Sequence, residues 1–581
     1  MQGRRLWRYV YRRACAVGIL LALLLGNPSE SAFASFSLDE MQDVSAIPAV
    51  STEEVAEEDS AEWDGIVEEI QFPEAATFDE NPWDRSVPAA ADDLTYADVL
   101  QRLDGQDFDE PGKVKIGKKF PNLATEEEIL DYFKTTYPST RNQTTKGVHY
   151  GSCWAHAAAA LAEFYMIRHN LSDAIGPVTP SVNYSELQLA YFCYHDGALP
   201  ANGDTGDHIF LDLSLGKGRN FLNLGGNLAF AAQSLMRGNG YARDKGNLAY
   251  SKAEKALKKG ISSTYATEKN VATLKHQFFL NLWENPELVK EAILANGAVG
   301  ISYFSRRRYL QKKNHAYYNY KRTFFNHVVT VVGWDDNYPA ENFKKTPPGN
   351  GAWLVRNSHS KTSKLSEKSY FWLSYYDTSL GVAAYAYEMA DQSKGEVYDN
   401  SYFHDGQLHL VRNASSTKVA NVFTAVRQDE TLEAVQFDAT CFVPGKYRVS
   451  IYKNPALDDG PESGALVEEA VTMGEIRLSG KYTIRLDAPV ELSRGETFAV
   501  VLETEKPIDR EYDGLWKEQL VMDTVIFEGE SFVFKKGAWE DLSRDTADGT
   551  RGNLCLRALT NTVKWVANPD TRTGLMVCLG I

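Results

Sequence analysis

The sequence predicts an α+β fold followed by an antiparallel β-sandwich, and three observations carry that prediction. From residue 113 to about 392 helical periodicity comes first and apolar strand-like runs come later, unlike the alternation of a parallel βαβ sheet. Beyond Met389 helical periodicity fades, and short alternating runs separated by glycines replace it. At 581 residues the chain exceeds what a single core holds, so two or three domains are expected.

In chain order, Arg4, Arg5, Arg8, Arg12 and Arg13 precede an apolar run from Ala14 to Leu25, and Ala32-Phe33-Ala34 supplies a small-x-small cleavage site. Residues 1–34 therefore read as a secretory signal peptide, and the run is too short to span a bilayer. Cys15 lies at its start, which argues against a lipid anchor. Residues 35–112 hold 23 Asp/Glu against Arg85 and Arg102, a local balance of −21 in a chain whose total is −17. That composition predicts a largely disordered spacer or a propeptide, with one short amphipathic helix over Leu94–Leu103. The remaining body is close to neutral and has no basic stripe, so nucleic-acid binding is not expected. No later stretch reaches membrane-spanning length, which predicts an exported protein, secreted or surface-attached.

The body starts at Lys113. Ser152 is an N-cap candidate for an alanine-rich helix that begins at Cys153 and runs to about Asn170. Further helices are expected at Tyr184–Tyr194, Leu228–Arg237 and Pro286–Ala295. Strands are expected at Val299–Phe304, His327–Trp334, Gly351–Asn357 and Ser369–Tyr376. In the sandwich, placed at 393–560, the alternating runs are Thr431–Phe437, Tyr447–Tyr452, Tyr482–Leu486 and Thr497–Leu502. Residues 561–581 form a tail whose apolar end, Gly574–Ile581, has no evident role. Beyond Cys15 five cysteines remain, an odd number that leaves at least one free thiol in an exported chain. Cys153 is the natural one, while the sequence leaves open whether Cys441 and Cys555 pair within the sandwich.

A cysteine in the first turn of a helix feels the positive end of the dipole, which favours the thiolate and makes it a nucleophile if a base is near. His327 opens the buried run to Trp334, and a strand end fixed by a sheet holds an imidazole well. Asn357 ends a second buried run, where its amide accepts from one imidazole N–H and leaves the other nitrogen for sulfur. Cys153, His327 and Asn357 then form a thiol-hydrolase triad with a thiolate–imidazolium pair at rest. The Asp335-Asp336 turn reads as solvated, and His404 and His409 lack a third ligand at zinc spacing.

These residues resemble the papain-like cysteine peptidases, in particular the bacterial and archaeal branch with a C-terminal lectin-like β domain. The run Tyr150-Gly151-Ser152-Cys153-Trp154 matches the nucleophile motif of that family except for Tyr150. Asn326-His327 with Gly333-Trp334-Asp335, the run Pro347–Ser358, and Ser369–Asp377 match in order. The resemblance implies a two-lobed peptidase, one lobe helical and one of strands, over 113–392, and a lectin-like sandwich over 393–560. It implies Cys153 as nucleophile, His327 as base and acid, Asn357 as orienter and Gln143 as the oxyanion amide. Gly225, Gly226 and Trp154 would line the substrate. It implies no cofactor and no metal, protein or peptide substrates, and a surface glycan or protein for the β domain.

Four departures from the family pattern stand out. Gln143 lies ten residues before Cys153 where the family has six. Tyr150 replaces a cysteine that pairs with the equivalent of Cys193, so Cys193 is expected to be unpaired. His359 replaces a tryptophan that shields the Asn–His bond, which predicts a wetter pair. His156 replaces an aromatic and is expected to be a helix residue held by a local partner. The readings that compete with a secreted endopeptidase are a surface adhesin that has lost turnover, and a thiol amidase acting on cell-wall peptides.

Overall fold

The computed structural model describes residues 138–562 apart from short stretches at 139, 204, 213–219, 362–365, 367, 407–408, 444, 517–518 and 545–551. It also gives the backbone of two short strands, Trp565–Ala567 and Met576–Cys578. The expected signal peptide, the acidic stretch 35–112 with its short helix, and most of the tail, including Gly574–Ile581, lie outside the described residues.

The alanine-rich run forms the helix Cys153–Arg168, buried from Cys153 through Met166. An all-round apolar helix belongs in a core, and alanines let neighbours approach closely on every side. It packs on the helices Glu186–Phe192 and Leu228–Met236 and on the strands His327–Asp335 and Ala383–Met389. Ser152 occupies the N-cap position but makes no capping bond; its hydroxyl lies 2.6 Å from the Tyr250 hydroxyl instead. Asn227 and Asn285, by contrast, do cap the helices Leu228–Met236 and Pro286–Asn296. The short helix Ala253–Lys259 and the strand Leu274–Asn281 are additions to the sequence reading.

The strand lobe is a mostly antiparallel sheet. Its central order is Tyr370–Ser374, Ala352–Arg356, His327–Asp335, Val299–Tyr303, Ala383–Met389 and Leu274–Asn281. The sheet does not stop there. Phe279 and Gln277 pair with Ser479 and Lys481 of the long strand Ser479–Leu492, which continues into Glu430–Ala439, Leu556–Thr562 and Asn400–Tyr402. A second antiparallel sheet, built on Gly445–Lys453, Thr497–Thr504, Lys418–Thr424 and Ser531–Lys535, packs on this extension. Phe437, Leu432 and Val490 meet Val449, Phe498 and Val500 between the layers, which is the expected sandwich. The same apolar cluster contains Ile301, Val329 and Trp353 of the strand lobe, so core and sheet are both continuous across residue 393.

A buried ionic network reinforces this seam. Lys481 donates to Asp438 and to Gln233 of the helix Leu228–Met236, while Arg557 binds Asp405 at 2.6 Å and Asp438 at 3.1 Å. Burial alone raises the Asp438 carboxyl, but Arg557 and Lys481 overcome it and hold it down to about 2. Cys153, Cys193, Cys441 and Cys555 are all free, so the pairing of Cys441 with Cys555 does not occur. Among the described residues no helix is long and apolar enough to cross a membrane.

Candidate active site

Cys153 is the first residue of its helix and is 8% exposed. The backbone N–H groups of Val328, Trp154 and Cys153 itself act on its sulfur in favour of the thiolate, and Val328 is the residue after His327. Burial raises the thiol, and these N–H groups oppose it without reversing it.

His327 opens the strand His327–Asp335, paired on one side with Tyr303 and held in a sheet buried on both faces. Its Nε2 lies 2.8 Å from Asn357 Oδ1. Asn357 follows the neighbouring strand Ala352–Arg356 and is fixed in place, its N–H donating to the Ser369 carbonyl and its Oδ1 also accepting from the Ser358 N–H. Because that oxygen only accepts, Nε2 carries the proton and Nδ1 keeps its lone pair. Burial is the main cause that lowers the His327 imidazole to about 4; the Asn357 bond opposes it, and His149 and His156 add to it. Both shifts run against the thiolate–imidazolium pair expected from the helix dipole. Burial disfavours each charge taken singly, whereas their mutual attraction favours the charged pair.

Gln143 is buried beside these groups, its N–H donating to the Ser358 carbonyl and its Oε1 accepting from Ser358 Oγ at 2.7 Å. Its Nε2 donates to the Tyr150 carbonyl at 2.6 Å and lies 3.2 Å from His149 Nε2. The four extra residues before Cys153 form a hairpin, Thr144–Thr145 against Val148–His149, turning at Lys146 and Gly147, both with positive φ. That is a two-residue turn of the type that matches strand twist.

Gly225 and Gly226 follow the loop before the helix Leu228–Met236. A Cβ on Gly226 would meet the Trp154 ring at 2.5 Å and the Tyr194 hydroxyl at 2.6 Å, whereas a Cβ on Gly225 would meet nothing within 4 Å. Gly225 therefore borders open space, with its carbonyl accepting from Tyr194 at 2.5 Å. Trp154 is 0% exposed, which corrects its expected place on the substrate. Its ring lies under Gly226, where it sets the height of the glycine backbone.

His359 stacks on His327 with ring centroids 4.9 Å apart and planes at 17°, so a ring still covers the imidazole and the pair is not opened to water on that side. His149 stacks in turn on His359 at 5.2 Å. His156 is held locally, with Nδ1 on the Ser152 carbonyl and the Tyr250 ring edge against it. Sequence reasoning passed over His149, Ser358 and Tyr194. The ten-residue spacing was the signal for the first, since extra residues ending in a Lys-Gly turn return the chain to its start.

Residues 220–436 match the model of the papain family cysteine proteases, and residues 402–560 match that of the lectin like domain. The first span contains Gly225, Gly226, His327 and Asn357 and begins after Cys153. Two solved structures share this architecture over 74% of the chain at 22% identity. One is the clostridial cysteine protease Cwp84 after propeptide cleavage, 97% of which is covered with a TM-score of 0.57. The other comprises the cysteine protease and lectin-like domains of Cwp84, a surface layer associated protein of Clostridium difficile, covered to 87% with a TM-score of 0.56. No curated protein sequence matches the chain. At that identity the structural likeness is one of fold, and together with the two family matches it means that this chain carries a papain family cysteine protease region followed by a lectin-like domain.

Proposed function

We propose that the chain is an exported cysteine endopeptidase in which Cys153 is the nucleophile, His327 the base and acid, and Asn357 the orienter. The observation that carries this reading is the His327 Nε2 contact with Asn357 Oδ1 at 2.8 Å, with Cys153 at the start of a helix packed against the strand that His327 opens. With Nε2 protonated and tied to Asn357, Nδ1 is the nitrogen left to take the thiol proton. The sulfur adds to the peptide carbonyl, His327 returns the proton to the leaving amine, and a thioester remains. Water, deprotonated by His327, then releases the acid and restores the thiol. The Cys153 N–H and the Gln143 amide are the donors assigned to the oxyanion, and the backbone of Gly225 and Gly226 is assigned to an extended substrate.

Residues 1–34 are assigned to export, and the acidic stretch 35–112 to a segment that is released or that inhibits. An active enzyme retaining that stretch intact would refute the second assignment. The lectin-like region is assigned to bringing the peptidase to a surface glycan or protein. Loss of all retention by cell-surface glycans and proteins, measured on the intact chain, would remove that assignment.

The decisive experiment treats the chain with a peptidyl epoxide, maps the labelled residue, and assays peptide hydrolysis. Labelling of Cys153 with turnover supports the endopeptidase. Neither labelling nor turnover returns the chain to a binding protein, and cleavage of murein stem peptides alone would make it a cell-wall amidase.

A further inference from the structure

The hairpin between Gln143 and Cys153 places a fourth imidazole at the site. His149 ends its second strand and is exposed, with Nδ1 3.0 Å from Thr144 Oγ1 and Nε2 3.2 Å from Gln143 Nε2. Proton counting fixes the roles. Gln143 Nε2 must donate to the Tyr150 carbonyl, and Gln143 Oε1 accepts from Ser358 Oγ, so the amide cannot be turned round. Its second N–H then points to His149 Nε2, which can accept only while that nitrogen is bare. The proton of neutral His149 sits on Nδ1, facing Thr144 Oγ1. Both amide hydrogens of Gln143 are thereby engaged inside the protein, and neither is offered to a substrate oxygen.

Protonated His149 has two N–H donors, and Nε2–H would face the Gln143 N–H donor to donor. The contact must then break. The charged groups around His149 come from several elements. His359 lies against its face, with His327 behind and Lys368 acting on His359; His156 acts from the Cys153 helix. Lys146 at the hairpin tip pairs loosely with Glu254 at 3.8 Å. His359 and His156 place no negative charge beside the ring, and its exposed edge gives a protonated ring a way out to solvent.

We propose that His149 is a positioning residue for the oxyanion amide: neutral, it holds Gln143 turned away from the substrate, and protonated, it lets go. This rests on the peptidase reading for its consequence, though the contact itself is testable without turnover. Acid therefore primes the oxyanion site while Cys153, His327 and Asn357 keep their geometry.

The test uses the full chain, its His149→Phe variant, which keeps a ring on His359 without an acceptor, and Gln143→Ala. A peptidyl aldehyde adds the Cys153 sulfur to its carbonyl carbon, and the carbonyl oxygen, taking the thiol proton in the resulting hemithioacetal, occupies the oxyanion site. Near neutral pH the aldehyde should bind His149→Phe about 3- to 10-fold more tightly than the native chain, the weight of one neutral hydrogen bond. The ratio should fall toward one as pH drops through the His149 titration, which partial burial and His156 hold below the ordinary imidazole range, and should be absent at every pH when Gln143→Ala is added. Equal binding at neutral pH, or a gain that survives Gln143→Ala, overturns the proposal. If no epoxide labels Cys153, the peptidase reading fails, and the His149 ring titration by NMR still decides the contact. Gln143→Ala should raise the midpoint of that titration by about half a unit to one unit, and an unchanged midpoint overturns it.

Discussion

The peptidase region and the lectin-like region bury charge and polarity in opposite ways. In the first, the proposed catalytic groups sit at the ends of elements: Cys153 starts a helix, His327 starts a strand, and Asn357 follows one. In the second, Lys481, Asp438 and Arg557 lie within strands, wholly enclosed, and satisfy one another. Element ends leave unsatisfied backbone groups and room for chemistry, whereas a charge inside a sheet is tolerated only when its partner is fixed.

That contrast can be broken at four points. Cys153→Ala should reduce turnover by about 10⁴-fold or more while leaving the unfolding midpoint nearly unchanged, as measured by peptide hydrolysis beside thermal melting. A comparable loss of stability would mean that the site residue is also structural. Arg557→Met should do the reverse, taking the guanidinium from Asp405 and leaving Asp438 with Lys481 as its cation, at a cost of about 3–5 kcal/mol in denaturant unfolding. A cost below about 1 kcal/mol would remove the distinction between the regions. Gly226→Ala sharpens it from the peptidase side, because the added methyl collides with Trp154. A loss of about 1–3 kcal/mol is expected, with a weaker KM if the glycine backbone pairs with substrate.

The smallest effect is in pH. The Asp438 carboxyl is held below its unfolded value, so its contribution to stability is present above about pH 4 and is lost as pH falls toward about 2. The amount is about 2 kcal/mol, read as an acid-side drop in unfolding free energy that is absent in Asp438→Asn. A drop of equal size in that variant would assign the acid sensitivity elsewhere.

The sequence pointed to Cys153, His327 and Asn357 because the proposed chemistry demands residue types at fixed local settings: a cysteine at a helix start and a histidine and an amide at buried strand ends. The four main helices of the peptidase region were legible for a related reason, since their apolar periodicity is local. The strands Leu274–Asn281 and Ala383–Met389 were missed, because Leu274–Asn281 is a strand by pairing with Ala383–Met389 and with Ser479–Leu492, partners about 100 to 200 residues away in sequence. Lys481 reads as an exposed lysine, and its burial is explained by Asp438, Gln233 and His409, all distant in sequence. Trp154 reads as a surface for substrate because its neighbour is the nucleophile. On a helix, however, adjacent side chains point about 100° apart, and the one beside Cys153 faces inward.

The run of hydrogen-bonded strands from His327–Asp335 through Val299–Tyr303, Ala383–Met389 and Leu274–Asn281 into Ser479–Leu492 has a further consequence. Severing the chain near residue 393 would strip Leu274–Asn281 of its outer neighbour and expose an apolar edge ready to join another molecule. The halves should therefore melt together in a single calorimetric peak, and neither should persist as a monomer once separated.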